Sequence, residues 1–92
     1  MIRSWKTSAT ERFALGGKSR FSGLDEVKAR ARLDTLAASV TPQGMGVLKS
    51  VGLHRLSGDR AGQWAVTING PWRLVFRFED GHAYDVEIVD YH

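Results

Sequence analysis

The sequence predicts an α+β fold, with two N-terminal helices packed on one face of a mainly antiparallel β-sheet. Three observations lead there. Residues 63–89 hold three runs that alternate apolar and polar side chains and are rich in aromatic and β-branched types. Residues 25–40 hold one apolar stripe at helical spacing. The helical segments come first and the strands follow as a block, an order that belongs to α+β rather than alternating α/β architectures.

Taken in order, residues 1–5 alternate weakly, Ile2 and Ser4 against Arg3 and Trp5, as a short first strand that joins the sheet. Ser8-Ala9-Thr10-Glu11 has capping-box spacing, and a short helix through Phe13 and Leu15 should stop at Gly16-Gly17. Lys18-Ser19-Arg20 forms a basic linker. Asp25 opens the stronger helix, whose stripe is Ala29, Leu33, Leu36, Ala37 and Val40, and Thr41-Pro42 closes it because the residue before proline avoids helical angles. Residues 43–50 read as a loop with a helical turn, residues 51–56 as a strand containing His54, and residues 57–62 as a polar turn.

The three final runs set a register problem. The first puts Trp64 and Val66 on one face, the second Trp72, Leu74, Phe76 and Phe78, and the third Tyr84, Val86 and Ile88. Asn69-Gly70 and Asp80-Gly81 are hairpin signals. Two-residue loops there would pair Val66 with Arg73 and Arg77 with Tyr84. Three-residue loops, Ile68-Asn69-Gly70 and Glu79-Asp80-Gly81, remove that conflict. They predict that Trp64 faces Leu74, Phe76 faces Tyr84 and Leu74 faces Val86, with Arg73 and Arg77 on the open face.

Ninety-two residues make a single small domain, residues 1–92. The chain lacks cysteine, which removes disulfide frameworks and thiolate metal sites and fits a reducing compartment. No apolar run has membrane-spanning length and no signal-peptide core opens the chain, so the expected location is the cytoplasm, away from membranes. Net charge is +3, divided as +6 over residues 1–60 and −3 over residues 61–92. A basic front half beside a sheet that presents arginines suits a polyanionic partner, and on charge alone it suits equally a soluble basic protein with no such partner.

Chemistry concentrates in few residues. Of the three histidines, His82 belongs to a hairpin end, and no pair has metal-ligand spacing, so neither a metal nor another cofactor is expected. His54 lies on the strand before the meander, and His92 closes the last run. Strand direction puts Arg73, near the start of the middle run, beside Asp90, Tyr91 and His92. Cleavage of RNA by its own 2′-hydroxyl requires a base, a cation for the phosphorane charge and an acid for the leaving oxygen. Histidine serves as either acid or base, and arginine clamps phosphate. Asp90 can orient an imidazole, and Tyr91 can stack on a base or donate a proton. A structural role for the same residues is the competing expectation: His54 as a satisfied strand residue, Tyr91 as packing, Arg73 paired with Glu87 across the strands.

Three segments resemble a known family. They are Leu53-His54-Arg55-Leu56-Ser57-Gly58-Asp59-Arg60-Ala61-Gly62-Gln63-Trp64, then Val66-Thr67-Ile68-Asn69-Gly70-Pro71-Trp72-Arg73-Leu74-Val75-Phe76, then Asp85-Val86-Glu87-Ile88-Val89-Asp90-Tyr91-His92. Together with Ile2-Arg3-Ser4-Trp5-Lys6 they are similar to the HigB toxins, the plasmid maintenance system killer proteins of the RelE/ParE superfamily. The resemblance implies a RelE-like fold and a type II toxin that cleaves mRNA on the translating ribosome. It implies a helix-turn-helix, HigA-like antitoxin and a toxin–antitoxin complex that binds operator DNA. It carries catalytic roles to His54, Arg73, Asp90, Tyr91 and His92; the basic residues Lys18, Arg20, Arg55 and Arg60 are the candidates for contact with RNA or the ribosome. Many relatives have lysine where Ser57 stands; if that lysine contacts phosphate there, either Arg55 or Arg60 takes over here or the activity is weaker. Two other functions suit the same superfamily: a ParE-type gyrase poison, and a non-catalytic component of a DNA-bound repressor complex.

Overall fold

A computed structural model describes residues 1–47 and 52–90. The elements are helix α1 (Ser8–Ala14), helix α2 (Glu26–Ala38), a 3-10 helix (Pro42–Val47), strand β1 (His54–Arg55), a 3-10 turn (Gly58–Arg60), and strands β2 (Gln63–Asn69), β3 (Trp72–Glu79) and β4 (His82–Asp90). The sheet has the order β1-β2-β3-β4, and every neighbouring pair is antiparallel. Both helices are N-terminal and pack on one face, as the α+β expectation required.

The opening segment runs parallel to β4 and covers its edge. Arg3 and Lys6 donate their backbone N–H groups to the carbonyls of Ala83 and Val86, and Ala83 and Val86 donate to Met1 and Ser4. Exposed ladder groups on a sheet edge invite pairing with foreign strands, and this segment removes part of that hazard. The cover continues beyond Lys6, because the Ile88 N–H donates to the Thr10 hydroxyl at 3.0 Å.

That bond also explains the start of α1. The N-cap is Thr7, one residue before the expected Ser8, and Thr7 Oγ1 accepts from the Thr10 N–H at 3.2 Å. Thr10 is drawn fully into the core, where its hydroxyl bonds both Thr7 and β4. The helix ends as predicted, with Gly16 at φ +99°, a left-handed angle that costs glycine nothing.

In α2 the Asp25 carboxylate caps the Lys28 N–H, and Ala29, Leu33 and Leu36 face the sheet. Ala37 and Val40, expected in the stripe, are exposed. The helix stops at Ala38, earlier than the proline alone required. Ser39 turns extended, its hydroxyl returns to the Thr35 carbonyl at 2.7 Å, and Val40 follows the chain into solvent. The main core joins Phe13, Ala29, Leu33 and Leu36 to Val66, Ile68, Leu74, Phe76, Val86 and Ile88, with Met45 closing one end. A smaller apolar cluster, Leu56, Ala65, Val75 and Val89, lies on the opposite face.

The register differs from the predicted one. Trp64 faces Phe76, Val66 faces Leu74, and Leu74 faces Ile88. Both hairpin turns have two residues, Gly70-Pro71 and Asp80-Gly81, and the apolar faces are kept aligned by bulges inside the strands instead of at the turns. One bulge inserts Ile68 into β2. Ile68, expected in a loop, is 3% exposed. Burying such a side chain contributes about 1.5–3 kcal/mol, which outweighs one disrupted ladder bond at about 1 kcal/mol. The second bulge lies at Asp85, whose φ is +52°. It reverses the two residues before it: Ala83 enters the main core, and Tyr84 faces Arg77 on the open side. The strand expected over residues 51–56 is shorter, since only His54 and Arg55 pair with β2; residue 51 lies outside the described residues.

Candidate functional site

Directly paired residues share a face of a sheet, so the register reads as rows across it. On the face away from the helices, one row is His54, Ala65, Val75 and Glu87. The next row is Thr67, Arg73 and Val89, and the row on the other side is Gln63, Arg77 and Tyr84. His54 and Arg73 therefore stand two strands and one row apart, a backbone separation of roughly 12 Å that a phosphate group and two side chains can span.

His54 is exposed, and its Nδ1 lies 3.0 Å from the Gly52 carbonyl. A carbonyl only accepts, so in the neutral ring this contact selects the tautomer with its proton on Nδ1 and its lone pair on Nε2. That tautomer is ready to take a proton.

Arg73 is half-buried, and its Nη1 donates to the Gly70 carbonyl at 2.7 Å and the Trp72 carbonyl at 3.0 Å. Among the described residues these bonds leave Nε and Nη2 available to an anion. Trp72 is paired with Asp90 and Arg73 with Val89, so Asp90 ends β4 beside the beginning of β3. Arg73 does not pair with Glu87. Glu87 is buried and takes a 2.8 Å ion pair from Arg60, which also donates to Gln63. Arg77, on the same face, donates to Asp85 at 2.9 Å; that hydrogen bond, offset in part by desolvation, raises its guanidinium pKa and secures its charge.

The remaining expected residues divide by location. Tyr91 and His92 lie outside the described residues. Lys18 and Arg20 are exposed on the interhelical loop, and the next residue, Phe21, meets the Trp72 ring edge-on at 5.4 Å. The loop thus reaches the end of the sheet that carries Arg73 and Asp90. Arg55 sits over the Trp64 ring, on the opposite face from His54, and Arg60 is engaged with Glu87. Ser57 is exposed at the start of the 3-10 turn and makes no side-chain capping bond. Among the described residues, no three or more His, Asp or Glu side chains gather in a way that could hold a metal ion, and no helix is long and apolar enough to cross a membrane.

Sequence reasoning missed the supports of this arrangement. Asn69 and Trp72 tie the β2–β3 turn to the interhelical loop, and Glu87 fixes Arg60. The only hint was an asparagine at a turn, whose side chain could bond many partners.

Comparison with known proteins agrees with this fold. Residues 5–92 match the family model of the HigB-like toxin, described as a RelE-like toxin of the type II toxin–antitoxin system HigB. The chain is also similar to "Endoribonuclease HigB" of Proteus vulgaris, with 35% identity over 94 residues that cover all of both chains. A match of this extent settles the family: the chain belongs to the HigB-like toxins, RelE-like members of type II toxin–antitoxin systems.

Proposed function

We propose that this toxin is an endoribonuclease that cleaves mRNA on the translating ribosome, without a metal, by way of the RNA 2′-hydroxyl. The observation that carries the reading is the sheet face away from the helices, where His54, its Nδ1 against the Gly52 carbonyl, and Arg73, whose Nη1 alone is engaged by backbone carbonyls, stand roughly 12 Å apart along the register, with Asp90 at the adjoining strand end. The name of the Proteus vulgaris relative supports the same activity.

In the proposed reaction His54 accepts the 2′-hydroxyl proton. The 2′-oxygen forms a bond to phosphorus, and the bond from phosphorus to the 5′-oxygen breaks. His92 supplies the proton to that leaving oxygen, Tyr91 stacks on the base or aids that transfer, and Asp90 orients the imidazole. Arg73 holds the phosphorane charge with its remaining N–H groups. Lys18 and Arg20, at the Arg73 end of the sheet, contact RNA or ribosome phosphates. Arg55 contributes from the far edge and Arg60 secondarily, its charge being shared with Glu87.

Few side chains are available for this chemistry, so positioning of the substrate by the ribosome supplies much of the rate, and cleavage of naked RNA is slow. Residues 1–92 act as one toxin domain in the cytoplasm, restrained by a helix-turn-helix, HigA-like antitoxin whose complex with the toxin binds operator DNA. The test is expression of His92→Ala and His54→Ala variants without antitoxin. Loss of growth arrest and of ribosome-associated mRNA cleavage, with normal folding, is the expected result. Retained cleavage in both variants would refute the site, and DNA breaks with intact mRNA would instead identify a gyrase poison.

A further inference from the structure

We infer that Asn69 is a positioning residue for Arg73, acting through the β2–β3 turn; this rests on the proposed role of Arg73 in RNA cleavage. Asn69 lies 44 residues from Asp25 in sequence, yet its Oδ1 accepts the Asp25 N–H at 2.8 Å while its Nδ2 donates to the Gly23 carbonyl at 2.9 Å. Both ends of the amide are used, which fixes its orientation. Asp25 is itself the cap of α2, so Asn69 joins the turn to the start of the longer helix. A second tie stands three residues on, where the Trp72 indole N–H donates to the Ser22 carbonyl at 3.0 Å and Phe21 packs against the ring.

These bonds immobilise the turn from both sides, and the turn is what holds Arg73. The two carbonyls that accept from Nη1 belong to Gly70, next to Asn69, and to Trp72. Arginine side chains are long and lose much rotamer freedom when ordered. Here the ordering is done in advance by carbonyls whose positions depend on a loop from the other layer of the fold. The guanidinium therefore meets its phosphate already oriented, and releasing the turn returns that freedom to it. A small displacement of such a group costs far more rate than stability.

The experiment compares wild type with Asn69→Ala and Trp72→Phe, the second keeping an aromatic ring against Phe21 while removing the N–H bond and part of the indole. Cleavage of ribosome-bound mRNA is measured together with the nuclear magnetic resonance signals of the Arg73 guanidinium, which report its rotation. Both variants are expected to melt cooperatively, to show faster Arg73 guanidinium rotation, and to lose cleavage about tenfold, chiefly in kcat. Unchanged Arg73 rotation in both would overturn the inference, as would faster rotation with full cleavage. If Asn69→Ala does not fold, Trp72→Phe decides alone. An Arg73→Lys variant that cleaves at the wild-type rate would fail the proposed function itself, a result distinct from either of those.

Discussion

Trp72 stands directly across the β3–β4 ladder from Asp90. This single pairing brings the first residues of β3 to the last of β4, and it puts Arg73 one residue along the ladder from Asp90, 17 positions away in the chain, while Asp90 itself shares the face of Trp72. The indole of Trp72 points to the helices and the guanidinium of Arg73 to the open face, so one short segment serves packing and the site at once.

Arg73 is the residue whose removal should separate activity from folding. It makes no ion pair among the described residues, and its two hydrogen bonds run to backbone carbonyls nearby. Arg73→Ala is expected to lower cleavage about 100- to 1,000-fold, the usual loss when one stabiliser of developing charge is removed. Thermal melting should move little. Lysine should recover only part of the activity, because it offers a point charge where a planar fork is needed.

Glu87 and Arg60 make the opposite prediction. Glu87 is 6% exposed and its partner Arg60 is partly in water. Glu87→Ala removes the anion and leaves the guanidinium beside an apolar face. The expected loss is about 1–3 kcal/mol of stability, below the range for fully buried pairs because Arg60 keeps some hydration. Chemical denaturation would measure it. An unchanged midpoint would mean that the 3-10 turn, Gly58–Arg60, is held by other means.

Thr10 tests the covered edge of β4. Its side chain is fully buried and satisfies the Ile88 N–H. Thr10→Val keeps the shape and removes the acceptor, so a buried donor is left unmatched at a cost of about 1–3 kcal/mol. Amide exchange at Ile88 should quicken in step with that loss.

His82 gives the fold a pH dependence. Its Nε2 accepts from Arg3 at 3.3 Å, so the ring is neutral, and its Nδ1 is shielded from water with no partner among the described residues. Desolvation first, then the positive charges of Arg3 and the Met1 amino group, lower its pKa below the ordinary 6.5, with Asp80 opposing. Below 6.5 the unfolded chain takes up a proton that the folded chain resists. Stability is therefore fully present above 6.5 and falls as the pH drops through that value toward the folded pKa. Melting temperatures of wild type and His82→Gln, measured from pH 8 to about pH 5, should converge on acidification.

Much of this molecule could be read from the chain. Period-two runs gave three strands, the apolar residues Ala29, Leu33 and Leu36 gave the docking face of α2, and Gly16 gave the end of α1. Those features are local: alternation, helical spacing and left-handed angles depend on near neighbours. The residue types and segments that led to the toxin family were equally present in one dimension.

Register was not local. Whether the extra residue of each hairpin falls in the turn or in the strand depends on what the rest of the fold offers that side chain, and the main core claimed Ile68 and Ala83. The ion pair of Glu87 with Arg60 and the grip of Asn69 on residues 23 and 25 likewise join segments that only meet once the layers are stacked. The sequence by itself determined which elements form and which face of each is apolar, because those follow from the chemistry of adjacent residues. Tertiary structure alone decided where the bulges lie and which polar groups meet, because burial and hydrogen-bond satisfaction are settled between segments far apart in the chain.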